Sequence, residues 1–149
     1  MVLKIFKAVW FLSLLGWLLV FLYVYASLPE EVLIRDPDSY RAGSRVMISR
    51  EGLFYILLAA ITLFTALVLT VRRLYNKEDF LTWFYGLFIC LHFFFVIVLN
   101  FINLINSGEN FDYNRIGNVI YGSVALFALW AVAWPVYAIF KKFLSKEAV

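Results

Sequence analysis

The chain has 149 residues, of which 64% are hydrophobic and 15% are charged, and its formal net charge is +3. A soluble domain is nearer half apolar and a quarter charged, so this composition excludes an ordinary soluble globular protein. The basic residues stand at the ends of apolar runs and are not interleaved with aromatics, which excludes nucleic acid as an expected partner. The expected partner is a lipid bilayer, with residues 1–149 forming a single transmembrane domain.

Four long apolar segments, separated by short polar ones, dominate the chain. A helix needs about 20 apolar residues to cross the hydrocarbon core, at 1.5 Å per residue. The third segment runs for about 25 residues without a charge, FLTWFYGLFICLHFFFVIVLNFINL. The sequence therefore predicts an all-α, integral membrane four-helix bundle, with spans at about residues 8–28, 53–71, 80–104 and 116–140.

Residues that often begin or end helices support these boundaries. Pro29 follows the first segment, Ser49 can cap the second helix, and Asn76 can cap the third. Pro135 lies inside the fourth segment, where it removes one backbone hydrogen bond and clashes with the carbonyl four residues earlier. We therefore expect a kink near Ala131.

The distribution of charge predicts the orientation of the four spans. The two termini and the turn at residues 72–79 contain eight Lys or Arg and three Asp or Glu. The loops at residues 29–51 and 105–115 together contain five Lys or Arg and seven Asp or Glu. Excess Lys and Arg mark the cytoplasmic side, so both termini are expected inside and the polar loop 29–51 outside. The short loops favour a bacterial inner membrane.

The third span contains the only histidine of the chain, His92. Asn100 and Asn103 follow it at spacings that place the three on one helical stripe. Polar groups at this depth should face protein or water, so the stripe is a candidate ligand or proton site, or a set of interhelical hydrogen bonds. A single axial haem ligand is a further interpretation of His92, whereas one histidine cannot form a histidine-rich metal cluster or a bis-histidine haem site. The expectation for the chain is no metal and no cofactor.

Small residues recur at helical spacing on the first two spans. Such stripes allow close approach of helix backbones, either within the bundle or against another protein. The predicted packing residues are Ser13, Gly16, Ala59, Thr62, Ala66 and Thr70.

The outer loop differs from the inner side in the type of its basic residues. Six of the eight inner ones are lysine, whereas those of the first outer loop are all arginine. The planar guanidinium suits paired hydrogen bonds to carboxylates and phosphates. The loop is therefore either a solvated segment or a partner-binding cap, with candidate residues Arg35, Arg41, Arg45 and Arg50.

The motifs of common enzymes and transporters do not occur in the sequence. No phosphate-binding loop, nucleophile elbow, zinc-protease motif or paired-cysteine motif is present, and no charged residue lies within a predicted span. The leading hypothesis is therefore a non-catalytic accessory or structural subunit of a larger membrane complex, with no catalytic residue. The alternative is a small-molecule, quinone or proton-handling protein that uses His92, Asn100 and Asn103.

Overall fold

The structure, a computed structural model, describes residues 1–35, 46–108 and 113–144. These residues form four long helices and one small antiparallel hairpin. All four helices are long and apolar enough to cross a membrane, so the prediction of four long apolar helices is confirmed. In chain order the elements are α1 (Val2–Ser27), β1 (Glu31–Arg35), β2 (Val46–Ser49), α2 (Arg50–Leu74), α3 (Glu78–Asn106) and α4 (Tyr113–Leu144).

The helix ends follow local sequence signals in two of three places. Helix α1 ends before Pro29, and Leu28 has the extended backbone, with ψ of 143°, that a residue before proline prefers. The Ser49 hydroxyl accepts the N–H three residues later at 3.1 Å, which confirms the predicted cap of α2. The predicted Asn76 cap is wrong, because Lys77 is the N-cap of α3 and makes no side-chain capping bond.

Helix α3 lies at the centre of the fold and contacts α1, α2, α4 and β1. The order of its contacts shows that α1 runs parallel to it, since Ser13 pairs with His92 and Ser27 pairs with Asn103. Short connections reverse the chain before and after α3. The start of α1, the α2–α3 turn and the end of α4 therefore lie together at one end of the molecule, which we call the termini end; the hairpin lies at the other.

Two apolar clusters hold the helices together. The larger joins α1, α2 and α3 on the hairpin side and includes Trp17, Phe21 and Leu99. The smaller lies nearer the termini end and contains Val68, Leu81, Tyr85 and Phe88. Helix α2 contributes its face with Leu53, Leu57, Ile61 and Val68, whose spacings of four or seven residues place them on one side of a helix.

The hairpin is a feature that the sequence analysis did not predict, because it treated residues 29–51 as a polar loop. Strands β1 and β2 pair antiparallel, with Val32 opposite Ile48 and an irregularity after Leu33. Val32 is fully buried and extends the larger apolar cluster beyond the ends of the helices. The signal was an alternation of β-branched residues in EVLIR and VMIS, which favours half-buried strands.

Helix α4 packs against α3 through an exchange of hydrogen bonds between two tryptophans. The Trp83 indole N–H donates to the Trp130 carbonyl at 2.7 Å, and the Trp130 indole N–H donates to the Trp83 carbonyl at 2.9 Å. Gly86 makes this approach possible, since the Trp130 ring occupies the space that a Cβ at residue 86 would need. Helix α4 continues through Pro135, and the kink near Ala131 stays a prediction.

We predict that Gly86→Ala destabilises the α3–α4 contact, because the added methyl overlaps the Trp130 ring. Overpacking of this kind costs about 1–3 kcal/mol and lowers the unfolding temperature of the purified protein in detergent. The matched control is Gly122→Ala on α4, where nothing lies within 4 Å of the added Cβ. Equal unfolding temperatures of the two variants would contradict the close contact.

Candidate functional site

The first candidate site is the contact between His92 on α3 and Ser13 on α1. His92 is only 1% exposed, and its Nδ1 lies 2.8 Å from the Ser13 hydroxyl oxygen. The same hydroxyl donates to the Trp10 carbonyl of its own helix at 2.8 Å. A hydroxyl has one proton, so we assign the proton of this contact to Nδ1, which donates to Ser13. The chain of bonds links the centre of α3 to the backbone of α1.

An aromatic wall surrounds this hydrogen bond. Trp17 is 0% exposed, and its ring centroid lies 5.3 Å from that of His92 and 4.7 Å from that of Phe95. The Trp17 indole N–H is buried and has no hydrogen-bond partner among the described residues. A cavity of about 190 Å³, lined by His92, Trp17, Ser13 and Gly16 among others, adjoins the pair. The site therefore combines one satisfied polar pair with one unused donor.

The three residues of the predicted stripe on α3 lie on two different faces of the helix. Asn103 faces α1, where its side-chain oxygen accepts from the Ser27 hydroxyl at 2.7 Å. Asn100 is exposed and donates to the Val96 carbonyl of its own helix at 2.8 Å. His92 and Asn103 therefore bind α1 at two levels, whereas Asn100 does not join them.

Asn106 is a residue that the sequence analysis missed. Its amide holds the backbone of β1 at two points: Oδ1 accepts from Leu33 N at 2.8 Å, and Nδ2 donates to Leu33 O at 2.9 Å. The side chain thus replaces a neighbouring strand and fixes the hairpin to the end of α3. Asn106 follows Asn103 by three residues, and this continuation of the stripe was the available signal.

The outer-loop arginines can be placed only in part. Arg41 and Arg45 lie outside the described residues, and only the backbone of Arg35 is described, in β1. Arg50 begins α2, donates to the Leu28 carbonyl at 3.2 Å, and lies 5.5 Å from the centre of the Tyr25 ring. It therefore joins the end of α1 to the start of α2, which is a structural contact within the chain.

The small residues predicted to pack lie in different environments. Ser13 makes an interhelical bond, whereas a Cβ at Gly16 would meet nothing within 4 Å, so no backbone approaches closely there. The α2 residues are exposed, on the face opposite the buried one. The interpretation of this stripe as packing within the chain is therefore wrong, and its alternative, a face toward other molecules, stays a prediction. These exposed residues are Ala59, Thr62, Ala66 and Thr70.

No group of three or more His, Cys, Asp or Glu side chains that could bind a metal ion occurs in the described parts of the chain. Comparison of the chain with known protein families, curated proteins and solved structures found no match. The function must therefore be argued from the geometry of this chain alone.

We predict that Ser13→Ala destabilises the protein by about 1–3 kcal/mol, because it leaves the buried Nδ1–H of His92 without an acceptor. The double variant Ser13→Ala/His92→Leu should recover most of this loss, since both polar partners are then replaced by apolar groups. Unfolding in detergent measures the free energies. Ser123→Ala is the matched control, since that buried hydroxyl donates to the Ile120 carbonyl of its own helix. Equal losses for Ser13→Ala and Ser123→Ala would refute the coupling.

We also predict that Asn106→Leu loosens the hairpin, because the N–H and C=O of Leu33 lose their side-chain partners. If the free energy of local opening of the hairpin falls by about 1.4 kcal/mol, the amides of β1 exchange roughly tenfold faster. Deuterium exchange with mass spectrometry measures this rate. Asn100→Leu removes an amide that bonds only its own helix and should leave β1 unchanged. Unaltered exchange in Asn106→Leu would show that the hairpin is held by other contacts.

Proposed function

We propose that this chain is an integral membrane protein of a bacterial inner membrane, with both termini cytoplasmic and the hairpin outside. The support is the clustering of basic residues at the termini end, where the start of α1, the α2–α3 turn and the end of α4 meet. The rule that positive residues stay inside places that end in the cytoplasm. The buried polar residues His92 and Ser123 fit an apolar solvent, because each forms a hydrogen bond within the chain.

In this membrane the chain acts as a non-catalytic subunit of a larger complex. One observation carries this role: the small-residue stripe of α2 lies on the face opposite the one that packs within the chain. Small side chains let a second helix approach closely, and dispersion contacts then favour association over contact with lipid. Because none of the other helices that the structure describes covers the stripe, a helix of a partner subunit is the occupant we propose.

Helix α4 adds a second surface of the same kind. It packs on α3 along one side, and large apolar side chains project from the rest, such as Leu126, Leu129, Val132 and Phe143. Leu129 is 72% exposed. Helix α4 packs mainly on α3 and touches α1 through the Phe6–Trp130 ring contact. Most of its surface is therefore left to lipid or to partner helices, which suits a subunit that bridges other components.

We predict that the chain migrates in blue-native electrophoresis well above its own mass of 17.4 kDa when membranes from its natural source are solubilised in mild detergent. Ala66→Leu should weaken this assembly, because the larger side chain holds a partner helix away. Leu12→Ala is the control, since Leu12 lies on an exposed part of α1 outside the stripe. Migration as a free monomer, or an assembly equally sensitive to both substitutions, would reject the subunit role.

A second candidate function, the binding of a small molecule such as a quinone or the handling of protons, is favoured by the unused indole N–H of Trp17. The residues Trp17 and His92 both line the cavity of about 190 Å³, whereas Asn100 and Asn103 do not. The two candidates differ in what His92→Leu changes. If the chain is a subunit, His92→Leu should change only the stability of the protein. If the chain handles a ligand, the folded His92→Leu variant should lose quinone binding.

A further inference from the structure

A groove runs along the outside of α3 between α1 and α4, and it is built from three adjoining cavities. The innermost holds about 270 Å³ and is lined by apolar side chains and Gly86, with Ile5 and Val9 on the α1 side. The next holds about 500 Å³ and shares the Trp130 wall with the first. The third, of about 590 Å³, lies at the termini end. Such volumes are typical of small-molecule sites.

Aromatic rings form a fixed wall along the middle of the groove. The indole N–H groups of Trp83 and Trp130 are both occupied by the exchange between α3 and α4, so these rings offer apolar faces to the groove. Trp134 stacks on Trp83 with centroids 6.0 Å apart and contacts Tyr137 at 5.6 Å. Trp and Tyr side chains favour the depth of lipid headgroups, where a ring can meet both apolar and polar atoms.

The outer end of the groove contains charges of both signs. Lys141 Nζ lies 3.7 Å from Asp79 Oδ2 and 5.5 Å from the centre of the Tyr137 ring. Lys77 and Glu78 line the same cavity, and neither takes part in an ion pair among the described residues. Lys142 lines this cavity as well, so three lysines and two carboxylates surround it. The outer end therefore presents a cation and an anion on the neighbouring residues Lys77 and Glu78, beside the Lys141–Asp79 pair.

We infer that this groove binds a zwitterionic aminophospholipid, phosphatidylethanolamine, from the cytoplasmic leaflet. One acyl chain lies in the apolar cavity beside Val9, the phosphate meets Lys77, and the primary ammonium donates to Glu78. Phosphatidylglycerol has no cation to offer Glu78, so its headgroup makes the weaker contact there. The three methyl groups on a choline nitrogen leave no N–H to donate, so phosphatidylcholine makes the weaker contact.

The order of polarity along the groove is what selects an amphiphile. Apolar surface lies deepest, the aromatic wall follows, and the charged residues stand last, which is the order of parts in a phospholipid. A helix of a second copy of this chain would bring apolar side chains against Lys77 and Glu78, leaving charges without partners. The inference rests on the membrane insertion proposed above and is independent of the subunit role.

Native mass spectrometry tests the inference on the full-length protein, purified in mild detergent and depleted of lipid. Phosphatidylethanolamine, phosphatidylcholine and phosphatidylglycerol with identical acyl chains are added in turn. We expect phosphatidylethanolamine to bind roughly tenfold more tightly than phosphatidylcholine, the ratio that one charge-assisted hydrogen bond provides. Equal binding of the three lipids, or preference for phosphatidylglycerol, would overturn the assignment.

Variants at the two ends of the groove test the charged end and the apolar end separately. Glu78→Gln should remove the preference over phosphatidylcholine and strengthen phosphatidylglycerol binding, whereas Lys77→Gln should weaken all three lipids. Val9→Trp fills the apolar cavity and should also weaken all three. The matched controls are Lys4→Gln and Leu12→Trp, at residues that line none of the three cavities.

The same measurements distinguish the ways in which the inference can fail. A dimer of this chain that Val9→Trp disrupts would show that a second copy occupies the groove. Single cysteines introduced at the hairpin end or at the termini end of a Cys90→Ala protein, labelled in intact cells, report insertion and sidedness separately. A chain that inserts as proposed but shows no preference for phosphatidylethanolamine overturns the lipid site alone, whereas a chain that does not insert overturns both.

Discussion

The fold depends on the hydrogen bonds that α3 makes with its side chains. In apolar surroundings an unpaired polar group costs several kcal/mol, so partners within the protein are strongly favoured for the polar side chains of α3. His92, Asn103 and Asn106 meet Ser13, Ser27 and the backbone of β1 in that order along the helix. Three levels of α3 are thus fixed against α1 and the hairpin, and a slip of α3 by one turn would break all three pairs together.

The hydrogen bonds of α3 align the helices, and aromatic side chains then form the close contacts between them. Trp17 fills the space between α1, α2 and α3, with its ring near Phe64, His92 and Phe95. On the other side of α3, the exchange between Trp83 and Trp130 joins two backbones through side-chain donors. Each carbonyl has two lone pairs, so it can accept an indole N–H without giving up its helical bond. Gly86 is needed for this contact, because any Cβ there would meet the indole ring.

The parts of the fold that sequence could predict are those set by local physics. The length and apolar character of each span, and the Ser49 cap, depend on residues close together in the chain, and the structure has four long helices and that cap. The pairing of His92 with Ser13, 79 positions apart, depends on how two helices rotate against each other, which helical spacing on one of them does not determine. For the same reason Asn100 was grouped with Asn103, although only Asn103 faces α1.

The stripe on α2 and the groove beside α4 differ in the kind of occupant they suit, and the difference is chemical. Small side chains such as Ala59 and Ala66 offer shape without charge, so contact there depends on a rigid surface that fits closely, as another helix does. The groove ends in charged residues that include Lys77 and Glu78, which can pair with groups of opposite sign that a helix spanning the bilayer does not bring. A mobile amphiphile can place charge at that depth and still fill an irregular apolar cavity. The two proposals therefore assign different occupants to different surfaces, a partner helix to the stripe and a lipid to the groove.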